Sequence, residues 1–206
     1  MAKERRKSPR ALLFFALDLP EHVRSGLEAW QARELTDEAL RPVAPQALHV
    51  TLCFLSYHPE KKIEAIAGIV TAVERRPVEM RLEPGPVPLP ESRPRLFAVG
   101  APSKTAIALQ QELSDALEAK RFYKPEKRPF WPHVTVARVR SEKGSRSGKR
   151  RGRGRPREVV DFPSSLPEDL LQTFEAPRLA LYRSHLRPTG AEYVRLAELN
   201  LTFDER

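Results

Sequence analysis

His49-Val50-Thr51-Leu52 and, 84 positions later, His133-Val134-Thr135-Val136 carry one motif twice: a histidine and a threonine separated by a single apolar residue. Both copies lie in short runs rich in β-branched and apolar residues, so both read as strands. Residues two apart on a strand project from the same face. His49 and Thr51 therefore point one way and Val50 and Leu52 the other. His133 and Thr135 are likewise set against Val134 and Val136. Two imidazoles, each with a neighbouring hydroxyl, form the kind of pair that acid–base chemistry on a phosphate requires.

The repetition extends upstream of both motifs. Phe14-Phe15-Ala16-Leu17-Asp18-Leu19-Pro20 precedes the first, and Leu96-Phe97-Ala98-Val99-Gly100-Ala101-Pro102 precedes the second. Phe14 to Leu96 and Pro20 to Pro102 are each 82 positions apart. Each unit reads as strand, Pro-marked turn, helix, loop and HxT strand. Two copies are too few for a solenoid. They predict an α+β fold of two lobes related by a pseudo-two-fold, with two antiparallel sheets flanked by helices and the HxT strands meeting at a central cleft.

The chain has 206 residues and a net charge of +9, and nine Lys or Arg with one acid fall between Arg140 and Arg157. The rest of the molecule is thus close to neutral. We read residues 1–206 as one domain of two intertwined lobes, interrupted at 141–157 by a basic Arg/Gly-rich disordered loop. The single cysteine, Cys53, excludes an intrachain disulfide and fits a reducing, cytoplasmic setting. Strand alternation puts Cys53 on the face of His49 and Thr51, as a small packed residue. Lys3, Arg5, Arg6, Lys7 and Arg10 before the apolar run at 11–17 imitate a signal peptide, but Asp18 interrupts the run, which reads as the first core strand. No stretch approaches the ~20 apolar residues of a membrane helix.

Periodicity then places the remaining elements: a strand over 11–18, a helix over 20–34 carrying Val23, Leu27 and Trp30, and the first HxT strand over 46–57. A helix starting at Pro59 carries Ile63, Ile66, Val70 and Val73. A strand opens the Pro-rich segment 77–90, and another covers 94–100. Ser103 caps a helix over 104–121 whose Leu109, Leu113 and Leu117 share a face. The second HxT strand spans 132–140, a short helix 166–174, and two closing strands 177–185 and 191–199, joined by a turn over 188–190.

Imidazole titrates near neutrality, so one ring can be neutral while its partner is protonated. That division suits concerted general base and general acid catalysis. Asp, Glu and Cys at ligand spacing are missing around both motifs, so the reading includes no metal and no cofactor. Arg138 is odd-spaced from His133 and needs a twist, a bulge or its own length to reach a shared phosphate. His22 reads as exposed, His58 as a helix cap, His185 as a residue near the end of a closing strand, and Tyr182 and Tyr193 as core.

The opening LFFALDLP (13–20), HVTLCFL (49–55), PHVTVAR (132–138) and the closing LYRSHLRPTGAEY (181–193) together resemble the 2H phosphoesterase superfamily, in its RNA 2′,3′-cyclic phosphodiesterase branch, also called 2′-5′ RNA ligase. The resemblance covers most of the chain outside the basic loop. It implies two αβ lobes about a positively charged cleft and metal-independent opening of a terminal 2′,3′-cyclic phosphate to a 2′-phosphate. It makes His49 and His133 the acid and base in either order. Thr51, Thr135 and Arg138 would hold the phosphate, and Phe54 would stack on a base although its parity sets it opposite His49. The implied partners are RNA with cyclic phosphate ends, tRNA fragments among them, and a nucleotide ligand, with the protein a monomer. The reverse reaction would join RNA ends through a 2′-5′ bond. Val136, where the family often has Leu, and the insertion after Val139 depart from the pattern.

Two other functions stay open on the sequence. One is a nucleic-acid-binding protein that works through the basic loop, whose Arg153-Gly154-Arg155-Pro156 resembles the core of an AT-hook. The other is the same chemistry on a different cyclic phosphate or a 2′-5′ oligonucleotide.

Overall fold

The computed structural model describes residues 8–142, 155–187 and 190–202. In chain order its strands and helices are β1 (Arg10–Asp18), α1 (Glu21–Glu34), β2 (Leu40–Pro42), β3 (His49–Pro59), α2 (Ile63–Val70), β4 (Glu79–Met80), β5 (Pro86–Leu89), β6 (Leu96–Gly100), α3 (Lys104–Ala119), β7 (His133–Val139), β8 (Phe174–Glu175), β9 (Arg178–Arg187) and β10 (Gly190–Asn200). Among the described residues the main sheet has eight strands in the order β10-β9-β1-β3-β7-β6-β5, with β2 also on β7. The expected two sheets are the four-stranded halves of this one sheet. They join through a single antiparallel pair, Val50 opposite Val134, which are equivalent residues of the two motifs.

The internal repeat holds at the level of register. In one half Ala16 stands opposite Thr51 and Asp18 opposite His49. In the other, Ala98 stands opposite Thr135 and Gly100 opposite His133. Each half then skips one residue at the same place, Leu52 in β3 and Val136 in β7, before Cys53 meets Phe15 and Ala137 meets Phe97. The extra residue is a β-bulge, which reverses the facing of the residues that directly follow it.

The helices pack as their apolar spacing requires. α1 buries Val23, Leu27 and Trp30. α3 buries Ala106, Leu109, Leu113 and Leu117, and Ser103 caps it by accepting from the Ala106 N–H at 3.0 Å. Together with Leu13, Phe15, Val50, Phe97 and Val134 they contribute to one contiguous apolar core. The start at Pro59 is a 3-10 turn, Glu60–Lys62, that runs into α2.

The expected helix over 166–174 is replaced by a 3-10 turn, Glu168–Leu171, after which β8 pairs Phe174 with Met80 of β4. Four residues after Pro167 are too few to propagate an α-helix. Most of the basic segment expected to be disordered, and the first two residues of the 188–190 turn, lie outside the described residues. The described ends of the basic segment are tied together: Ser141 bridges Pro156, and the Glu142 N–H donates to the Arg155 carbonyl at 2.8 Å.

A bulge leaves backbone groups without strand partners, and the one in β7 is satisfied from outside its own half. The buried Gln31 of α1 donates through Nε2 to the Val136 carbonyl at 2.7 Å and to the Val43 carbonyl at 3.0 Å. The Val43 N–H also donates to the Val136 carbonyl, at 3.0 Å. Replacing Gln31 by Leu removes the side-chain donor and leaves the volume nearly unchanged. The expected loss is about 1–2 kcal/mol of unfolding free energy, read by urea titration with an unchanged m-value. No change would mean that the bulge does not depend on this residue.

Candidate active site

The paired bulges decide which side chains reach the cleft. Up to the bulge, alternation holds: His49, Thr51, His133 and Thr135 are half-buried, while Val50, Leu52, Val134 and Val136 are buried. Past it, Cys53 and Ala137 turn inward, and Phe54 and Arg138 emerge on the histidine side. Two expectations change as a result. Phe54, 53% exposed, joins the cleft rather than the opposite face. Cys53 leaves it, and burial raises its thiol to about 12, which keeps it protonated and unreactive. Arg138 reaches the cleft by the equivalent bulge in β7, one of the three routes open to its odd spacing.

Two hollows flank the Val50–Val134 pair. One, of about 520 Å³, is lined by His49, Thr135 and Arg138, with Arg41, Gln46 and Tyr193. The other, of about 390 Å³, is lined by His133, Thr51 and Phe54, with Tyr123, Phe130 and Trp131. Each hollow thus takes the histidine of one motif and the threonine of the other. The equivalent positions 54 and 138 supply an aromatic ring to one side and a guanidinium to the other. Sequence spacing missed Trp131, Arg41 and Tyr193 as cleft residues. Trp131 had a signal, two positions before His133. Tyr193 was expected in the core, but it is half-buried and lines the larger hollow beside Arg138. Tyr182 is also half-buried; its hydroxyl donates to Asp18 Oδ1 at 2.5 Å, and Arg178 Nε pairs with Asp18 Oδ2 at 2.8 Å.

The histidines share a mode of anchoring but not an environment. His133 Nδ1 lies 2.8 Å from the Trp131 carbonyl, and its ring stacks on Trp131 with centroids 4.6 Å apart. That leaves Nε2 for the cleft. His49 is hydrogen-bonded to the backbone of Ala47, also two residues upstream, and its Nε2 lies 3.0 Å from Thr51 Oγ1. Phe14 stacks on it at 5.0 Å and Tyr193 meets it edge-on at 5.4 Å. Burial lowers the His49 pKa to about 4; the Ala47 bond opposes the shift, and Arg138 and His133 add to it. His49 is therefore neutral at pH 7 and able to accept a proton.

The other histidines stand apart. His22 is exposed. His58 is not a helix cap: its Nε2 bonds the Leu55 carbonyl at 3.1 Å and its ring packs edge-on against Phe122. His185 is half-buried on β9, opposite Glu192. Among the described residues no three His, Cys, Asp or Glu side chains cluster as metal ligands would. No described helix is long and apolar enough to cross a membrane.

Residues 19–150 match the family model of the 2′-5′ RNA ligase superfamily. The chain is 34% identical over 131 residues to an RNA 2′,3′-cyclic phosphodiesterase of Escherichia coli strain K12, covering 63% of this chain and 73% of that protein. A crystal structure of a Thermus thermophilus protein superposes with a TM-score of 0.72 at 26% identity, covering 94% of this chain and all of that one. E. coli LigT in complex with 3′-AMP gives a TM-score of 0.70 at 26% identity, covering 95% of this chain and all of that one. On the match over residues 19–150 and the 34% identity, this chain belongs to the 2′-5′ RNA ligase superfamily.

Proposed function

We propose that this chain hydrolyses the 2′,3′-cyclic phosphate at an RNA end to a 2′-phosphate, with His49 as general base and His133 as general acid. The observation that carries this reading is the crossed pair of hollows, each presenting one imidazole to a common centre from opposite sides. The names of the relatives give the substrate class.

The hollows also divide the roles. Phe54, Tyr123, Phe130 and Trp131 make the His133 side a place for a nucleobase, which an aromatic wall holds by stacking. The terminal nucleoside sits there, so its 3′ oxygen leaves toward His133. Water attacks in line from the larger hollow, where the neutral His49 takes its proton. The new bond joins water oxygen to phosphorus, the phosphorus–O3′ bond breaks, and His133 delivers its proton to O3′. Thr51, Thr135 and Arg138 donate to the non-bridging oxygens and stabilise the charge that grows on them. A 5′-hydroxyl in the place of water would attack phosphorus in the same direction, lose its proton to His49, expel O3′ and leave a 2′-5′ bond. The reading extends to tRNA fragments as one source of such ends, and to a monomeric enzyme working in the cytoplasm.

The first test is turnover in EDTA of an RNA oligonucleotide ending in 2′,3′-cyclic phosphate. We expect a 2′-phosphate product. His49→Ala and His133→Ala should each lower kcat by about 10²–10⁴ with unaltered thermal unfolding. Wild-type rate in either variant would rule out the two-histidine step.

Because the base must be neutral, rate is lost as pH falls through its pKa. The acid limb of kcat/KM should therefore lie near pH 4, not at the ordinary imidazole value of 6.5. A limb at 6.5 would take the base role from His49.

Phe54→Ala removes a stacking surface worth about 1–3 kcal/mol per base. KM for the RNA should rise while kcat changes little. An unchanged KM would show that the base binds elsewhere.

A further inference from the structure

Between α3 and β7 the chain reads Lys120-Arg121-Phe122-Tyr123-Lys124-Pro125-Glu126-Lys127-Arg128-Pro129-Phe130-Trp131. Five cations, one acid and four aromatic rings alternate over twelve residues, the composition of a surface that tracks single-stranded nucleic acid. Phe130, Trp131 and Tyr123 belong to the hollow beside His133. The beginning of the segment lies past it. There a shallow hollow of about 530 Å³ is lined by Ser56, Arg121, Lys124 and Glu118, and Phe54 and Tyr123 line both hollows. The two rings thus stand as a partition, with the active centre on one side and a basic groove on the other.

Arg121 has a backbone that argues for its side chain. α3 ends with the Phe122 N–H donating to the Leu117 carbonyl and the Arg121 N–H to the Glu118 carbonyl, both at 2.8 Å. These are the bonds of a Schellman turn, whose left-handed position favours glycine. Arg121 occupies that position with φ 57°. A non-glycine residue there is strained, and strain of this kind is retained where the side chain has work to do. Among the described residues neither Arg121 nor Lys124 is in an ion pair, whereas the nearby Arg128 is paired with Glu126 at 3.4 Å. Glu118 is the acid on the groove itself, against two cations.

We propose that this groove binds the nucleotide immediately upstream of the terminal one, so that the site is built for a single-stranded RNA chain and not for a cyclic mononucleotide. Phe54 and Tyr123 separate the two bases, and Arg121 and Lys124 hold the phosphate that links the chain onward. The inference rests on the activity proposed above and adds the part of the substrate that it engages.

The experiment compares kcat/KM for a nucleoside 2′,3′-cyclic phosphate with that for an RNA trinucleotide bearing the same end, in wild type, Arg121→Gly and Lys124→Gln. Glycine suits the turn, so Arg121→Gly should unfold at the wild-type temperature or above. We expect the mononucleotide to be turned over as in wild type. The trinucleotide should lose roughly three- to tenfold at low salt, and its salt slope should become shallower by about 0.7 in each variant. Equal changes for both substrates, or none for the trinucleotide, would overturn the proposal. If wild type turns over neither substrate, the proposed activity fails, and the groove is then read by anisotropy of a fluorescein-labelled RNA trinucleotide. Weaker binding to both variants would keep the groove; unchanged binding would remove it.

Discussion

A single antiparallel contact, Val50 opposite Val134, organises the site. Each valine is the middle residue of its HxT motif, so pairing them places His49 and Thr51 beside His133 and Thr135 in one stroke. An antiparallel pair has a local two-fold axis perpendicular to the sheet, and the repeated halves obey it down to the residue. Beyond this pair the two strands diverge: β7 continues along β2, and β3 along β1. The cleft is the space opened by that divergence.

Around the motif pair the backbone is symmetric and the chemistry is not. Both strands bulge at the same step, at Leu52 and at Val136, and both bulges deliver the fifth residue after the histidine to the cleft. That residue is Phe54 on one side and Arg138 on the other, so one half of the scaffold presents a flat apolar surface and the other a positive charge. The histidines diverge likewise. Phe14 and Tyr193 enclose His49 and its proton affinity falls, whereas His133 is backed by Trp131 beside the aromatic hollow. Duplication supplies two equivalent positions, and their surroundings make them different: a histidine enclosed by Phe14 and Tyr193 on one side, and one set on Trp131 beside an aromatic hollow on the other.

Much of this was legible in the chain. The strand before Pro20, the two helices with Leu27 and Leu113 on their buried faces, and the HxT strands follow from apolar spacing, because burial acts at the local period. The repeat could be found from three landmarks. The bulges could not. A bulge is a mismatch between two strands, and neither Cys53 nor Phe54 carries a local sign of it, so simple alternation misplaced both. Trp131 and Tyr193 approach the site from a loop and from a distant strand, where period carries no information. The helix expected over 166–174 became a single turn and β8 because Phe174 finds a partner in Met80, nearly a hundred residues away.

The sequence by itself determined most of the elements, the duplication, the two histidines with their threonines, and the placing of nearly all excess charge in one segment. These depend on residue type and on spacing along one strand or helix. Only the tertiary structure decided that the halves share one sheet and that Phe54 faces the cleft while Cys53 leaves it. It also decided that His49 is enclosed by aromatic rings and that Arg121 stands on a groove beyond Phe54. Those outcomes depend on register between strands and on what covers each side chain, and both arise only when distant parts of the chain pack together.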